Sequence, residues 1–201
     1  IQYKPIEEIA DPLLGAVVVP SNSGECETVI GNLRLWNQSG VIPIVDSRRK
    51  KPVLLFVFNN RTAESSFEKI KDQFNSLNME RFFSKIEARY LNLDGERDLY
   101  ERDYFKLVGD EGYKAGPNNQ FFGAMRCSRE FGRYVFLMEV DCVPIRPNWL
   151  GRLIDIVGSA EPFFVMGSGY RGKGTLHASY CRHINGNAIY AAGDPDFQAF
   201  L

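Results

Sequence analysis

Short apolar runs alternate along the chain with stretches in which apolar residues recur every three or four positions. That alternation predicts an α/β layer fold. Ala16–Val19 reads as a first short strand running into Pro20-Ser21-Asn22-Ser23-Gly24, after which Val29, Leu33 and Trp36 stand at helical spacing. Val53–Phe58 is an unbroken apolar run suited to a strand buried on both faces. Thr62 is placed to cap the next helix, which carries Phe67, Ile70, Phe74 and Leu77 along one face. Lys85–Leu93 predicts another strand, and the charged stretch Asp94–Asp110 reads as a short helix with an exposed loop.

Gly116-Pro117-Asn118-Asn119 opens a further helix, with Pro in its favoured first turn and Phe122 and Met125 inward. Tyr134–Val140 is the expected central strand. Arg146-Pro147-Asn148 leads into a helix with Leu150, Leu153, Ile154 and Val157 on one face. Pro162–Met166 and Ile184–Ala191 predict later strands, and Asp194-Pro195 is a helix cap followed by a first-turn Pro. No repeat, low-complexity tract or internal linker interrupts the pattern, so one domain over residues 1–201 is expected. Phe197–Leu201 stops inside a young helix, which suggests that the chain is cut short at this end.

Composition changes this picture little. The 201 residues are 44% hydrophobic and 24% charged, with a formal net charge of −1, so no global basic field would hold nucleic acid or a membrane surface. No apolar run approaches the roughly 18 residues that a membrane span needs, and Ile1–Ala10 lacks the pattern of a signal peptide. The compartment stays open: cytoplasmic or, within a longer chain, membrane-associated. Cys26, Cys127, Cys142 and Cys181 are widely spaced without a CxxC pair, which argues against a zinc knuckle or a disulfide scaffold and favours buried or half-buried thiols.

The most informative segment is Tyr134-Val135-Phe136-Leu137-Met138-Glu139-Val140-Asp141-Cys142-Val143-Pro144, an apolar strand ending in two acids spaced by two. On a strand these would share a face about 6.6 Å apart. The carboxyl end of a strand is where open α/β sheets bind ligands. Two acids there repel one another unless a cation neutralises them, and a hard divalent ion bridging to a diphosphate is the natural partner. The competing reading keeps Glu139 as a solvated strand residue and leaves only Asp141 with a role.

The segment Phe136-Leu137-Met138-Glu139-Val140-Asp141, followed by Pro147-Asn148-Trp149-Leu150, resembles the DxD region of GT-A glycosyltransferases. The resemblance runs from Val53 to about Phe200 and rests on the order of motifs. It implies a Rossmann-like GT-A fold, a mostly parallel central sheet flanked by helices. It also implies Mn²⁺ or Mg²⁺, a nucleoside diphosphate sugar donor and a carbohydrate or glycoconjugate acceptor. Glu in the first position departs from the motif, so Asp141 inherits the metal and catalytic role better than Glu139.

Four further segments fit around that motif. Asn59-Asn60-Arg61 follows a main strand, where the family contacts base and ribose; amides suit a base edge and an Arg fork suits phosphate, while helix capping is the equal alternative. Asn118 and Asn119 stand at a helix start, which in the family borders the donor site. Gly167–Thr175, with Arg171 and Lys173 among its glycines, could fold over a diphosphate or remain a surface loop. His183, Asn185 and Asn187 alternate around Gly186, so a strand would send all three to one face; the family lines its sugar pocket there, with His183 and Asn187 as catalytic candidates. The implied reaction is metal-assisted sugar transfer. Asp194 and Asp196 are possible bases for that transfer, helix capping being the other reading of Asp194; a sugar nucleotidyltransferase and a non-catalytic carbohydrate-binding domain remain open.

Overall fold

Val53–Phe58 forms a strand, β2, whose six residues are all buried. It lies inside a six-stranded sheet and is covered on both faces, as its unbroken apolar run requires. The computed structural model describes residues 13–99, 115–169 and 184–201. The other strands are β1 (Leu14–Ser21), β3 (Ile86–Tyr90), β4 (Tyr134–Leu137), β5 (Val165–Gly169) and β6 (Ile184–Tyr190), in the spatial order β3-β2-β1-β4-β6-β5. β3, β2, β1 and β4 run parallel, with Val18 between Leu55 and Leu137. β6 runs antiparallel to both β4 and β5. The sheet is therefore mixed but mostly parallel.

The helices are α1 (Cys26–Trp36), α2 (Glu64–Ser76), α3 (Ala115–Ser128), α4 (Trp149–Ser159) and α5 (Pro195–Phe200). Val29, Leu33 and Trp36 are buried along α1, as are Phe67, Ile70 and Phe74 along α2, which packs on α1. Trp36 meets Trp149 of α4 edge to face, with ring centroids 5.3 Å apart. α1 and α2 pack against each other on one face; the chain then crosses back over β1 to reach β4, and α3 packs on β1 and β2. No helix among the described residues is long and apolar enough to cross a membrane.

Several expected boundaries move. β4 stops at Leu137, not Val140; beyond it Met138 N–H still donates to Val18 O at 2.9 Å, but the chain then turns, with Cys142 N–H donating to Glu139 O at 3.0 Å. β5 begins at Val165 because Phe163 is committed elsewhere, stacked on Tyr134 at 4.4 Å with its N–H on the Tyr134 hydroxyl. Thr62 is not a cap. Asn60 caps instead, its Oδ1 accepting Thr62 N–H at 3.0 Å to start a single 3-10 turn before α2. Phe122 is exposed on α3, while Met125 is buried and Phe121 packs on Tyr190. Within the charged stretch, Gly95–Asp98 is a short 3-10 turn, and residues 100–110 lie outside the described residues.

Candidate functional site

A strand order in which neighbours leave β1 in opposite directions opens a crevice at the carboxyl ends of β1 and β4. A cleft of about 720 Å³ lies there. Its lining includes Asn22 and Glu25 after β1, Asn59 after β2, and Glu139 and Asp141 after β4. Asp98, Gly116, Gln120 and Gly186 also line it.

The acids after β4 do not share a strand face, because the strand has already ended. The Glu139–Cys142 turn gathers them instead: one ligand atom each from Glu139, Asp141 and Cys142 lies within 4.8 Å of the others. Both carboxylates are exposed. Asn187 on β6 fixes Glu139 from both sides, its Oδ1 accepting Glu139 N–H at 2.7 Å and its Nδ2 donating to Glu139 Oε2 at 2.9 Å. Asn32 of α1 donates to Val140 O at 2.7 Å and so anchors the turn itself.

Near them stands Glu25, a residue that the sequence reading missed although Asn22-x-x-Glu25 is a capping-box spacing. Asn22 Oδ1 accepts Gly24 N–H at 2.8 Å, and Glu25 Oε2 accepts Asn22 N–H at 2.9 Å. Burial first, and the nearby Asp141 charge to a smaller extent, push the Glu25 carboxyl above its ordinary range, against the hydrogen bonds from Asn22 and Ser21. Burial also raises the Cys142 thiol, with the charges of Asp141 and Glu139 adding to it. Among the described residues no Lys or Arg pairs with Glu25, Glu139 or Asp141. Negative charge thus accumulates on one wall.

A carboxyl raised in the folded state favours folding when protonated and costs stability once ionised. Glu25→Gln keeps the acceptor for Asn22 N–H and removes the charge. The variant is expected to melt above the wild type at neutral pH in metal-free buffer, the gap closing as pH falls through the glutamate range. Parallel thermal melts across that range check it; a gap independent of pH would assign the effect to packing.

The far wall is built differently. Asn59 Nδ2 donates to both oxygens of Asp98, at 3.0 and 2.8 Å, and Asn60 Nδ2 reaches Oδ2 at 3.4 Å. Neutral amides, not a cation, therefore hold this carboxylate, whose unused lone pairs can accept from a ligand N–H or hydroxyl. Gly116 lets α3 approach: a Cβ there would stand 2.9 Å from the Asp98 carbonyl carbon. Gln120 Nε2 donates to Ser21 O at 2.8 Å and Val57 O at 3.0 Å, tying the ends of β1 and β2 together. Asp98 carried no signal in the sequence, since the charged stretch around it has no periodicity.

Other expected residues point away. Arg61 lies over the Tyr90 ring, 5.9 Å from its centroid, and does not line the cleft. Asn118 is exposed and also outside the lining. Asn119 faces the other side of α3, its Nδ2 on Arg97 O at 3.1 Å. Asp194 caps α5, accepting from Asp196 and Phe197 N–H, and pairs with Arg133 at 3.2 Å, so it is committed to structure. Arg171, Lys173, Cys181, His183 and the Asn185 side chain lie outside the described residues, as does most of the glycine-rich loop. Cys26 is buried; Cys127 and Cys142 are half-buried free thiols. Comparison with protein-family models and with curated protein sequences returns no match.

Proposed function

We propose that this chain is a metal-assisted glycosyltransferase of the GT-A type, moving a sugar from a nucleoside diphosphate sugar to a carbohydrate or glycoconjugate acceptor. The observation that carries the reading is the convergence of Glu25, Glu139 and Asp141 on the cleft at the β1–β4 crossover, without a basic partner among the described residues. Uncompensated carboxylates on one wall favour a cation. The adjoining cleft has room for a nucleotide-sized ligand.

The donor set suits a hard divalent ion such as Mn²⁺ or Mg²⁺, with Asp141 and Glu139 holding it and the Cys142 thiol alongside. Such an ion, when bound, supplies positive charge for a leaving diphosphate. The chain's own groups do the rest. Asn187 orients Glu139, and Asn59 and Asp98 present donor and acceptor atoms to a nucleoside edge. Asn60 contributes mainly through its cap and its long contact to Asp98.

Turnover of a panel of nucleotide-sugars with Mn²⁺, and again after chelation, tests the reading. Free nucleoside diphosphate and a glycosylated acceptor are expected only with the ion. Pyrophosphate release would identify a nucleotidyltransferase instead, and donor binding without turnover a binding domain. Alanine at Asn59 frees Asp98 from its amide clamp and is expected to weaken nucleoside diphosphate binding about tenfold, the scale of one charge-assisted hydrogen bond. Calorimetry checks it; unchanged affinity would confine Asn59 to holding the loop.

A further inference from the structure

The turn after β4 carries a sulfur beside its two carboxylates. Glu139 O accepts the N–H of Cys142 at 3.0 Å, so residues 139–142 form a β-turn that brings its first and last side chains together. One ligand atom from each of Glu139, Asp141 and Cys142 lies within 4.8 Å of the other two. No other three His, Cys, Asp or Glu side chains converge in this way among the described residues. We propose that this turn is a three-ligand site for a thiophilic divalent cation of the Zn²⁺ class, bound through the Cys142 sulfur without any nucleotide. Such binding extends the cation reading of the turn and is independent of sugar transfer.

The donors are held in place from three other elements. Met138 N–H donates to Val18 O at 2.9 Å, Asn32 of α1 donates to Val140 O at 2.7 Å, and Asn187 of β6 accepts Glu139 N–H at 2.7 Å. A turn fixed beforehand loses little free energy to ordering when an ion binds. The space beside Glu139 is also kept clear. Asn187 Nδ2 takes Oε2 at 2.9 Å, which leaves Oε1 for a ligand. Gly186 faces that oxygen: a Cβ there would stand 3.6 Å from Oε1, so any larger side chain would crowd it.

The donor set then selects the ion. Carboxylate and thiolate together suit Zn²⁺, with bonds of about 2.3 Å to sulfur and about 2.0–2.2 Å to oxygen. A tetrahedral ion so bound holds its donors roughly 3.5 Å apart. The turn therefore has to draw in only a little, and exposed carboxylates swing that far at small cost. Mg²⁺ prefers an octahedral shell of oxygens and gains nothing from sulfur. As the ion binds, the thiol S–H bond gives way to a sulfur–metal bond and the proton leaves to solvent. Because this ion uses both acids, it competes with the Mn²⁺ proposed above.

Co²⁺ reports the sulfur bond directly, since a thiolate bound to Co²⁺ absorbs strongly in the near ultraviolet and a carboxylate does not. The whole reduced chain, free of nucleotide, is titrated with Co²⁺. A saturable band is expected, displaced by stoichiometric Zn²⁺ and untouched by excess Mg²⁺. Cys142→Ser is expected to lose the band, while Cys127→Ser and Cys181→Ser keep it. Asp141→Asn is expected to reach the same band with an affinity weaker by about tenfold or more, since losing a ligand costs at least as much as losing its support. A second measurement uses the unmutated chain: Zn²⁺ is expected to slow iodoacetamide alkylation of Cys142 several-fold, read by mass spectrometry, and Mg²⁺ to leave it unchanged. No band in the wild type, a band that survives in Cys142→Ser, undiminished affinity in Asp141→Asn, or equal effects of Mg²⁺ and Zn²⁺ would overturn the proposal. Each of those failures leaves Mn²⁺-dependent nucleotide binding to its own titration, because that binding needs no sulfur.

Discussion

Asp194→Ala is expected to cost about 3–5 kcal/mol of folding stability, the scale on which a broken buried ion pair is felt. Two functions are lost at once. Asp194 Oδ1 caps α5 by accepting the N–H groups of Asp196 and Phe197, at 3.0 and 3.3 Å. Its Oδ2 meets Arg133, and the two side chains are only 15% and 10% exposed. Loss of a cap alone is worth about 1 kcal/mol, so most of the effect comes from leaving the Arg133 charge buried without a partner. Arg133 has little else to turn to, since its Nε already lacks a hydrogen-bond partner and its guanidinium lies over the Tyr134 ring.

Three companion variants separate the contributions. Asp194→Asn retains an oxygen for the cap and removes the charge, and is expected to fall between wild type and Asp194→Ala. Arg133→Met removes the charge that Asp194→Ala strands, and the double variant is expected to be less damaged than the sum of its parts. Urea unfolding measures these four variants beside the wild type. A cost near 1 kcal/mol for Asp194→Ala would leave only the cap. Because Arg133 precedes β4, at the end of the sheet remote from the cleft, ligand binding by the folded fraction is expected to survive.

The same residues show how far the sequence could be read. Asp194-Pro195 was legible as a helix start because capping is local: the donor and acceptor lie within three residues. Its ion pair was not, since Arg133 is 61 positions away and only the fold brings it there. The strand Val53–Phe58 and the buried faces of α1 and α2 were legible for the related reason that burial imposes a period on the chain. The end of β4 was misplaced because Met138 and Val140 continue the apolar pattern while Asn187, from a distant strand, and the Glu139–Cys142 turn decide where pairing stops. The site divided along the same line. Glu139, Asp141 and Asn59 could be picked out from their places after strands, and Glu25 from its capping-box spacing. Asp98 depends wholly on amides 38 and 39 positions away. Arg61 shows the converse: its position after a strand suggested phosphate, but Tyr90 on the neighbouring strand takes its guanidinium.

Asp141→Asn is expected to abolish metal-dependent nucleotide binding while leaving the protein as stable as before or slightly more so. The second half of the expectation distinguishes a functional acid from a structural one. Asp141 has no basic partner among the described residues, and its charge repels that of Glu25 on the same wall of the cleft. Removing it relieves repulsion and breaks no ion pair. The first half follows from the small number of protein oxygens on offer. An ion held by one or two carboxylates depends on the nucleotide phosphates for the rest of its shell, so metal and nucleotide should strengthen each other. Loss of one charge then removes both. Asn187→Ala is expected to act through Glu139, which would lose the amide that orients it and turn freely; the loss in apparent metal affinity should be about 10–100-fold, the usual scale for a group that positions a ligand. Glu139→Gln should lie between these two, because the Asn187 contacts survive but the charge does not. Calorimetric titration of UDP and of GDP, each with Mn²⁺ and each with chelator, reads all four proteins on one scale. If Asp141→Asn binds nucleotide with the same dependence on Mn²⁺ as the wild type, Asp141 does not hold the ion. If it binds normally but melts well below the wild type, its role is structural.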